Sequence, residues 1–186
     1  MNINQVIKAF AFISILAGVV RLSMTPTGLI WGTDSTPELL CGYIASILMA
    51  FSSIAFYLPQ AKQTGVLGLI SIFLLTLGNI LISGDIYGIL GYGDYAEDNV
   101  FTMITGMTIG IGMAIGTLLL AYVTIRAKVF PIWIPILHIL TVLTLSIPFL
   151  SDWFAFVWGL AYVAMGYTVY SGNFKKNEST NLYVNS

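Results

Sequence analysis

Charged residues punctuate this chain at wide intervals. Between them lie five uncharged stretches, 39–61, 63–84, 99–125, 129–151 and 153–174, each at least 22 residues long. A helix rises about 1.5 Å per residue, so about 20 residues cross the ~30 Å hydrocarbon core of a bilayer. The stretches are continuously apolar rather than alternating, which predicts helices and not the strands of a membrane barrel. A sixth stretch, Ala9 to Val20, is shorter and lies between Lys8 and Arg21. Both cations have stems long enough to snorkel toward opposite interfaces, and no small-residue cleavage site follows, so a membrane helix is expected there rather than a cleaved leader. The expected spans are about 4–24, 38–59, 64–84, 100–124, 131–149 and 152–171, forming a single transmembrane domain over 1–172. The polar segment 173–186 is expected to be a disordered cytoplasmic tail.

Composition turns this from a reading about a core into one about a surface. Hydrophobic residues make up 58% of the 186 and charged residues 8%, whereas soluble domains carry about 25% charge. Mean hydropathy is +0.91. So little charge cannot cover a water-facing surface, which excludes a soluble enzyme. A net charge of −1 gives no attraction to nucleic acid. The fold class is all-α, a polytopic transmembrane helix bundle of six spans, with the lipid bilayer as its first partner.

The basic residues set the expected orientation. With the N-terminus inside, Lys8, Lys62, Arg126, Lys128, Lys175 and Lys176 fall on the cytoplasmic side and only Arg21 outside. That is a strong positive-inside bias, so the expected topology is N-in/C-in in the cell membrane. Asp34, Glu38, Asp85, Asp94, Glu97, Asp98 and Asp152 fall outside, in agreement. Ser35-Thr36-Pro37-Glu38 reads as a capping box opening the second span, and Ser151 or Asp152 as a cap for the sixth. The external stretch Leu29-Ile30-Trp31-Gly32 is apolar enough to lie in the interface. The second and third spans can be laid over the fourth and fifth, aligning Ala55, Ala61 and Lys62 with Ala121, Ala127 and Lys128. Chance accounts for that in a chain this apolar.

Small residues are the strongest local pattern. The fourth span contains Gly106 and Gly110, continuing to Ala114, and separately Gly112 and Gly116. Residues four apart share a helix face, and without bulky side chains they admit a neighbouring backbone. Two readings stay open: packing inside the bundle, or a homodimer seam on the fourth helix. Polar groups inside the spans are fewer. His138, the one histidine, lies in the fifth span with Thr141 after it, and Asn79 lies in the third with Thr76 on its face. Intramembrane ionisable or amide groups either satisfy one another across helices or line a ligand or proton pathway. Arg21 can snorkel, pair with Asp34, Glu38, Asp85 or Asp152, or hold an anionic ligand.

Other chemistries find less support. Gly91-Tyr92-Gly93-Asp94 matches a tetrad of intramembrane aspartyl proteases, but such catalysis needs two carboxyls sharing a proton. No second aspartate lies deep in a span. Leu39-Leu40-Cys41-Gly42 is a poor lipoprotein site, because Leu40 is large and the position is far into the chain. There is no nucleophile elbow and no phosphate-cradling loop, and Cys41 alone makes no internal disulfide. No catalytic residue, metal site or cofactor is expected.

Arg126-Ala127-Lys128-Val129-Phe130-Pro131-Ile132-Trp133, an apolar helix, and then Gly159-Leu160-Ala161-Tyr162 to Gly166-Tyr167 form a recognisable ending. It resembles the C-terminal third of small uncharacterised bacterial multi-span membrane proteins, which implies a bacterial plasma-membrane bundle and carries over no activity. Two functions remain. The chain is expected to be a non-enzymatic accessory or interaction protein acting through helix packing. The alternative is a small transporter or channel subunit, with His138, Asn79, Thr76, Thr141 and Arg21 along its path.

Overall fold

In a computed structural model describing residues 2–93 and 100–174, the chain is helical, with no strand among those residues. Asp94, Tyr95, Glu97, Asp98 and the tail from Lys175 lie outside the described residues. The helices are α1 (Ile3–Leu22), α2 (Met24–Trp31), α3 (Thr36–Ser52), α4 (Ile54–Tyr57), α5 (Ala61–Tyr92), α6 (Val100–Ala127), α7 (Trp133–Ser146) and α8 (Phe154–Ser171). Short 3₁₀ turns occupy Leu58–Gln60 and Pro148–Trp153.

Four helical stretches are long and apolar enough to cross a membrane: Ile3–Trp31, Thr36–Tyr92, Thr102–Ala127 and Pro148–Ser171. The second of these, at 57 residues, would measure about 85 Å if straight. It folds back on itself instead. Pro59 sits in the 3₁₀ turn, and Gly65 takes φ 56° and ψ −141°, a conformation open to glycine and few other residues. Beyond the turn α5 runs antiparallel to α3, with Gly42 against Ile86 and the Thr76 hydroxyl donating to the Ala50 carbonyl at 3.4 Å.

Six legs thus form a closed ring in the order α1, α3, α5, α6, α7, α8, each packed on the next and α8 back on α1. The α1–α8 seam is the closest. A Cβ added at Gly18 would lie 2.5 Å from the Gly159 carbonyl oxygen, and one at Gly166 would lie 2.8 Å from that of Ala11. The Ser14 hydroxyl donates to the Tyr162 carbonyl across the same seam at 3.0 Å. Large side chains fill the ring, among them Met49, Phe56, Leu75, Leu120, Ile134, Trp158, Tyr162 and Met165. Outside, Phe73, Ile111, Ile115, Leu143 and many like them are exposed, the pattern of helices meant for lipid.

Charge separates along the ring axis. Arg21, Asp34, Glu38, Asp85 and Asp152 gather at one end. Lys8, Lys62, Arg126 and Lys128 lie at the other, where Gln60 meets Thr124 and Phe12 meets Tyr170.

Several local expectations are corrected. The first helix, expected over about 4–24, stops at Leu22, and after Ser23 the chain re-enters helix as α2, which displays Leu29, Ile30 and Trp31. Ser35 is the N-cap residue of α3 but its side chain makes no capping bond, and Glu38 reaches back past it to the Asp34 N–H at 2.8 Å. Neither Ser151 nor Asp152 caps α8; Trp153 holds that position, and the Ser151 hydroxyl donates to the Pro148 carbonyl at 2.7 Å. The α-helix of the fifth leg is shorter than 131–149, since α7 runs from Trp133 to Ser146 and Ile147, ahead of Pro148, turns extended. A box the sequence reading passed over caps α1: Asn2 donates its N–H to Gln5 Oε1 at 2.9 Å and accepts from the Asn4 N–H at 3.3 Å.

The glycines of the fourth leg divide. Gly116 packs on α5, where a Cβ would lie 2.9 Å from that of Leu74. At Gly106, Gly110 and Gly112 a Cβ would meet nothing within 4 Å among the described residues. For Gly106 and Gly110 the cause is length: 14-residue α7 covers only the half of 28-residue α6 that holds Ala114 and Thr117.

Because the α1–α8 seam has no room, Gly159→Ala is expected to lower stability by about 1–3 kcal/mol through overpacking. Gly84→Ala, at a site where a Cβ meets nothing within 4 Å, should be neutral or stabilising, as helix propensity favours alanine. Thermal unfolding of both variants in detergent checks this difference.

Candidate functional site

Two polar constellations stand out. The first lines a cavity of about 350 Å³ at the acid-rich end. The last turn of α1 carries Arg21 into it, with the side chain only 5% exposed. Met24, Thr25, Gly28 and Leu29 come from α2, Glu38 from the first turn of α3, Ser151 and Asp152 from the 3₁₀ turn, and Phe154 from α8. The guanidinium lies over the indole of Trp158, its Cζ 4.3 Å from the ring centroid, and 5.9 Å from that of Phe154. Such contacts contribute about 0.5–2 kcal/mol, but they leave N–H donors unsatisfied. Arg21 Nε and Nη1 are buried with no hydrogen-bond partner, and so is Thr25 Oγ1. Arg21 therefore turns inward on α8 rather than snorkelling along its own helix.

Glu38 is held in place. Its carboxylate accepts from the Asp34 N–H, and Asp34 takes a left-handed φ of 61°, which aspartate tolerates better than most residues. The carboxylate also rests on Gly28, where a Cβ would come within 3.0 Å of Oε1.

The second constellation lies inside the ring. Asn79 Nδ2 donates to the Leu75 carbonyl at 2.8 Å and reaches the Tyr162 hydroxyl at 3.5 Å. Tyr162 and Ser53 share a bond of 2.9 Å, and the Ser53 hydroxyl donates to the Met49 carbonyl at 2.7 Å. The hydrogens therefore run one way, from Asn79 through Tyr162 and Ser53 to a backbone oxygen. His138 Nδ1 lies 3.0 Å from the carbonyl of Ile134, one turn earlier on α7. That carbonyl can only accept, so the neutral ring carries its proton on Nδ1. Nε2 is left buried and unpartnered, as is Asn79 Oδ1. The Phe56 ring stands between the two groups, 4.9 Å from that of Tyr162 and 6.3 Å from that of His138.

The five residues singled out for a pathway are thus distributed rather than aligned. Asn79 and His138 share a packed core but line neither the 350 Å³ cavity, nor a cavity of about 730 Å³ beside Lys128 and Phe130, nor a void of about 20 Å³ between α6 and α7. Thr141 borders that small void and donates to the Leu137 carbonyl at 3.0 Å. Thr76 ties α5 to α3. Arg21 borders the 350 Å³ cavity. Glu38 was anticipated as a partner of Arg21, whereas Thr25, Trp158, Tyr162 and Ser53 were not anticipated as site residues. Tyr162 had a signal, since it lies between Gly159 and Gly166, where the backbone of α1 approaches.

Among the described residues no group of three or more His, Cys, Asp or Glu could hold a metal. The chain matches no protein-family model, no curated protein and no solved structure.

The bond between Ser53 and Tyr162 joins α8 to the junction of α3 and α4. A double-mutant cycle of Ser53→Ala and Tyr162→Phe, read by unfolding in mixed micelles, should give a coupling of about 0.5–1.5 kcal/mol. Strict additivity would mean the two hydroxyls do not bond.

Proposed function

We propose that the protein is a six-span integral protein of a bacterial plasma membrane, oriented N-in/C-in, that acts as a non-enzymatic accessory component through helix contacts. The observation that carries this reading is the uncovered glycine face of α6. Gly106 and Gly110 lie past the end of α7, flanked by exposed Met103 and Met107. A face without side-chain bulk admits a neighbouring backbone closely, and in lipid such packing drives helix association. A second copy is the partner proposed, since one α6 face against another makes a self-complementary two-fold contact.

The topology draws support from the separation of Lys8, Lys62, Arg126 and Lys128 from the acid-rich end. Although α7 spans only about 21 Å, the 3₁₀ turn after it rises about 2.0 Å per residue and extends the leg toward the end where Asp152 lies. Transport along Asn79, Thr76, Thr141 and His138 has less support, because Asn79 and His138 are buried and border none of the three cavities described above.

Joint substitution of Gly106→Leu and Gly110→Leu should weaken self-association in lipid vesicles at least about tenfold, equivalent to about 1.4 kcal/mol. Energy transfer between labelled copies reads this, and the fold should survive the change, because among the described residues an added Cβ at either glycine meets nothing within 4 Å. A wild-type protein that stays monomeric in vesicles, or a variant that associates equally well, would contradict the proposal.

A further inference from the structure

The Arg21 cavity has features that helix packing does not require. A buried guanidinium offers Nε and Nη1 with no partner, a buried hydroxyl at Thr25 is likewise unpartnered, and both residues border about 350 Å³ of space. That volume is at the small end of small-molecule sites, which run to about 300–1,000 Å³. The charges are graded: Arg21 is buried, Glu38 half-buried and Asp152 exposed. A simple anion entering the cavity would meet two carboxylates before the arginine. A simple cation would be attracted to the rim and repelled by the buried side. A molecule bearing both charges a few bonds apart fits the gradient.

We infer that the cavity enclosed by α1, α2, α3 and α8 binds a small zwitterion, with an oxyanion on Arg21 and Thr25 and a primary ammonium at Glu38 and Asp152. The planar guanidinium fork matches a carboxylate or a phosphate and forms charge-assisted bonds with either. Glu38 is already oriented by the Asp34 N–H and by contact with Gly28, so little ordering is needed when the ammonium arrives. Met24, Leu29 and Phe154 supply apolar wall for the carbons between the two charges. Free amino acids and the head group of an ethanolamine phospholipid share this chemistry. The inference is independent of the α6 contact.

Trp158 reports on the site, since Arg21 stacks on it. In lipid-free detergent, glycine and phosphoethanolamine should each change tryptophan fluorescence saturably. Both should bind at least about tenfold more tightly than acetate or ethylammonium, which carry one charge each. Arg21→Gln should abolish the response. Asp152→Asn, a change at an exposed position, should weaken glycine several-fold while strengthening acetate. This opposite shift keeps the test decisive if Arg21→Gln fails to fold. In nanodiscs, loss of the glycine response on adding phosphatidylethanolamine to phosphatidylcholine identifies the lipid head group as occupant, and a preserved response identifies the free zwitterion. Equal binding of acetate and glycine, no saturable response to either zwitterion, or parallel shifts in Asp152→Asn would overturn the inference.

Discussion

The backbones of α1 and α8 touch at Gly18 and Gly159, and that contact closes the ring. In lipid the hydrophobic effect does not press one apolar helix against another, so association relies on close packing and a few interhelical hydrogen bonds. The seam supplies both, with glycines at Gly18, Gly159 and Gly166 and the bond from Ser14 to the Tyr162 carbonyl. Two polar groups, one at the centre of each constellation, are positioned from it. One turn beyond Gly18, Arg21 meets Trp158, the neighbour of Gly159. One turn further along α8, Tyr162 enters the core to meet Ser53 and Asn79.

The early end of α7 has two consequences at once. Pro148 disfavours helical geometry at Ile147, which is extended; α7 stops at Ser146 and residues from Pro148 form a 3₁₀ turn. Among the described residues, that leaves Gly106 and Gly110 of α6 with nothing within 4 Å of an added Cβ. It also brings Ser151 and Asp152 to the rim of the Arg21 cavity. One proline thus shapes both the contact face and the binding site proposed above, and places them in the same half of the bundle.

The helices were legible because uncharged run length is a strong signal when lipid is the solvent, as the stretches 39–61 and 63–84 illustrate. Their local ends were less legible. Whether Glu38 caps Ser35 or reaches Asp34 depends on a left-handed turn that no spacing rule announces. The glycine stripe of the fourth span was visible, but its partner depended on the length of a different helix. Arg21 was recognised as a residue with several available roles, and only the fold could put Trp158 beneath it. His138 and Asn79 stood out by their chemistry, yet the Phe56 ring that separates them comes from a third element.

The central claim is that this ring lies across a membrane with its basic end at the cytoplasm. Single cysteines at each end, in a Cys41→Ser background, address it with a membrane-impermeant maleimide on intact cells. The account predicts that Thr33→Cys is labelled from outside, while Lys62→Cys is labelled only after the membrane is opened. Labelling of Lys62→Cys on intact cells, or protection of Thr33→Cys, would contradict it.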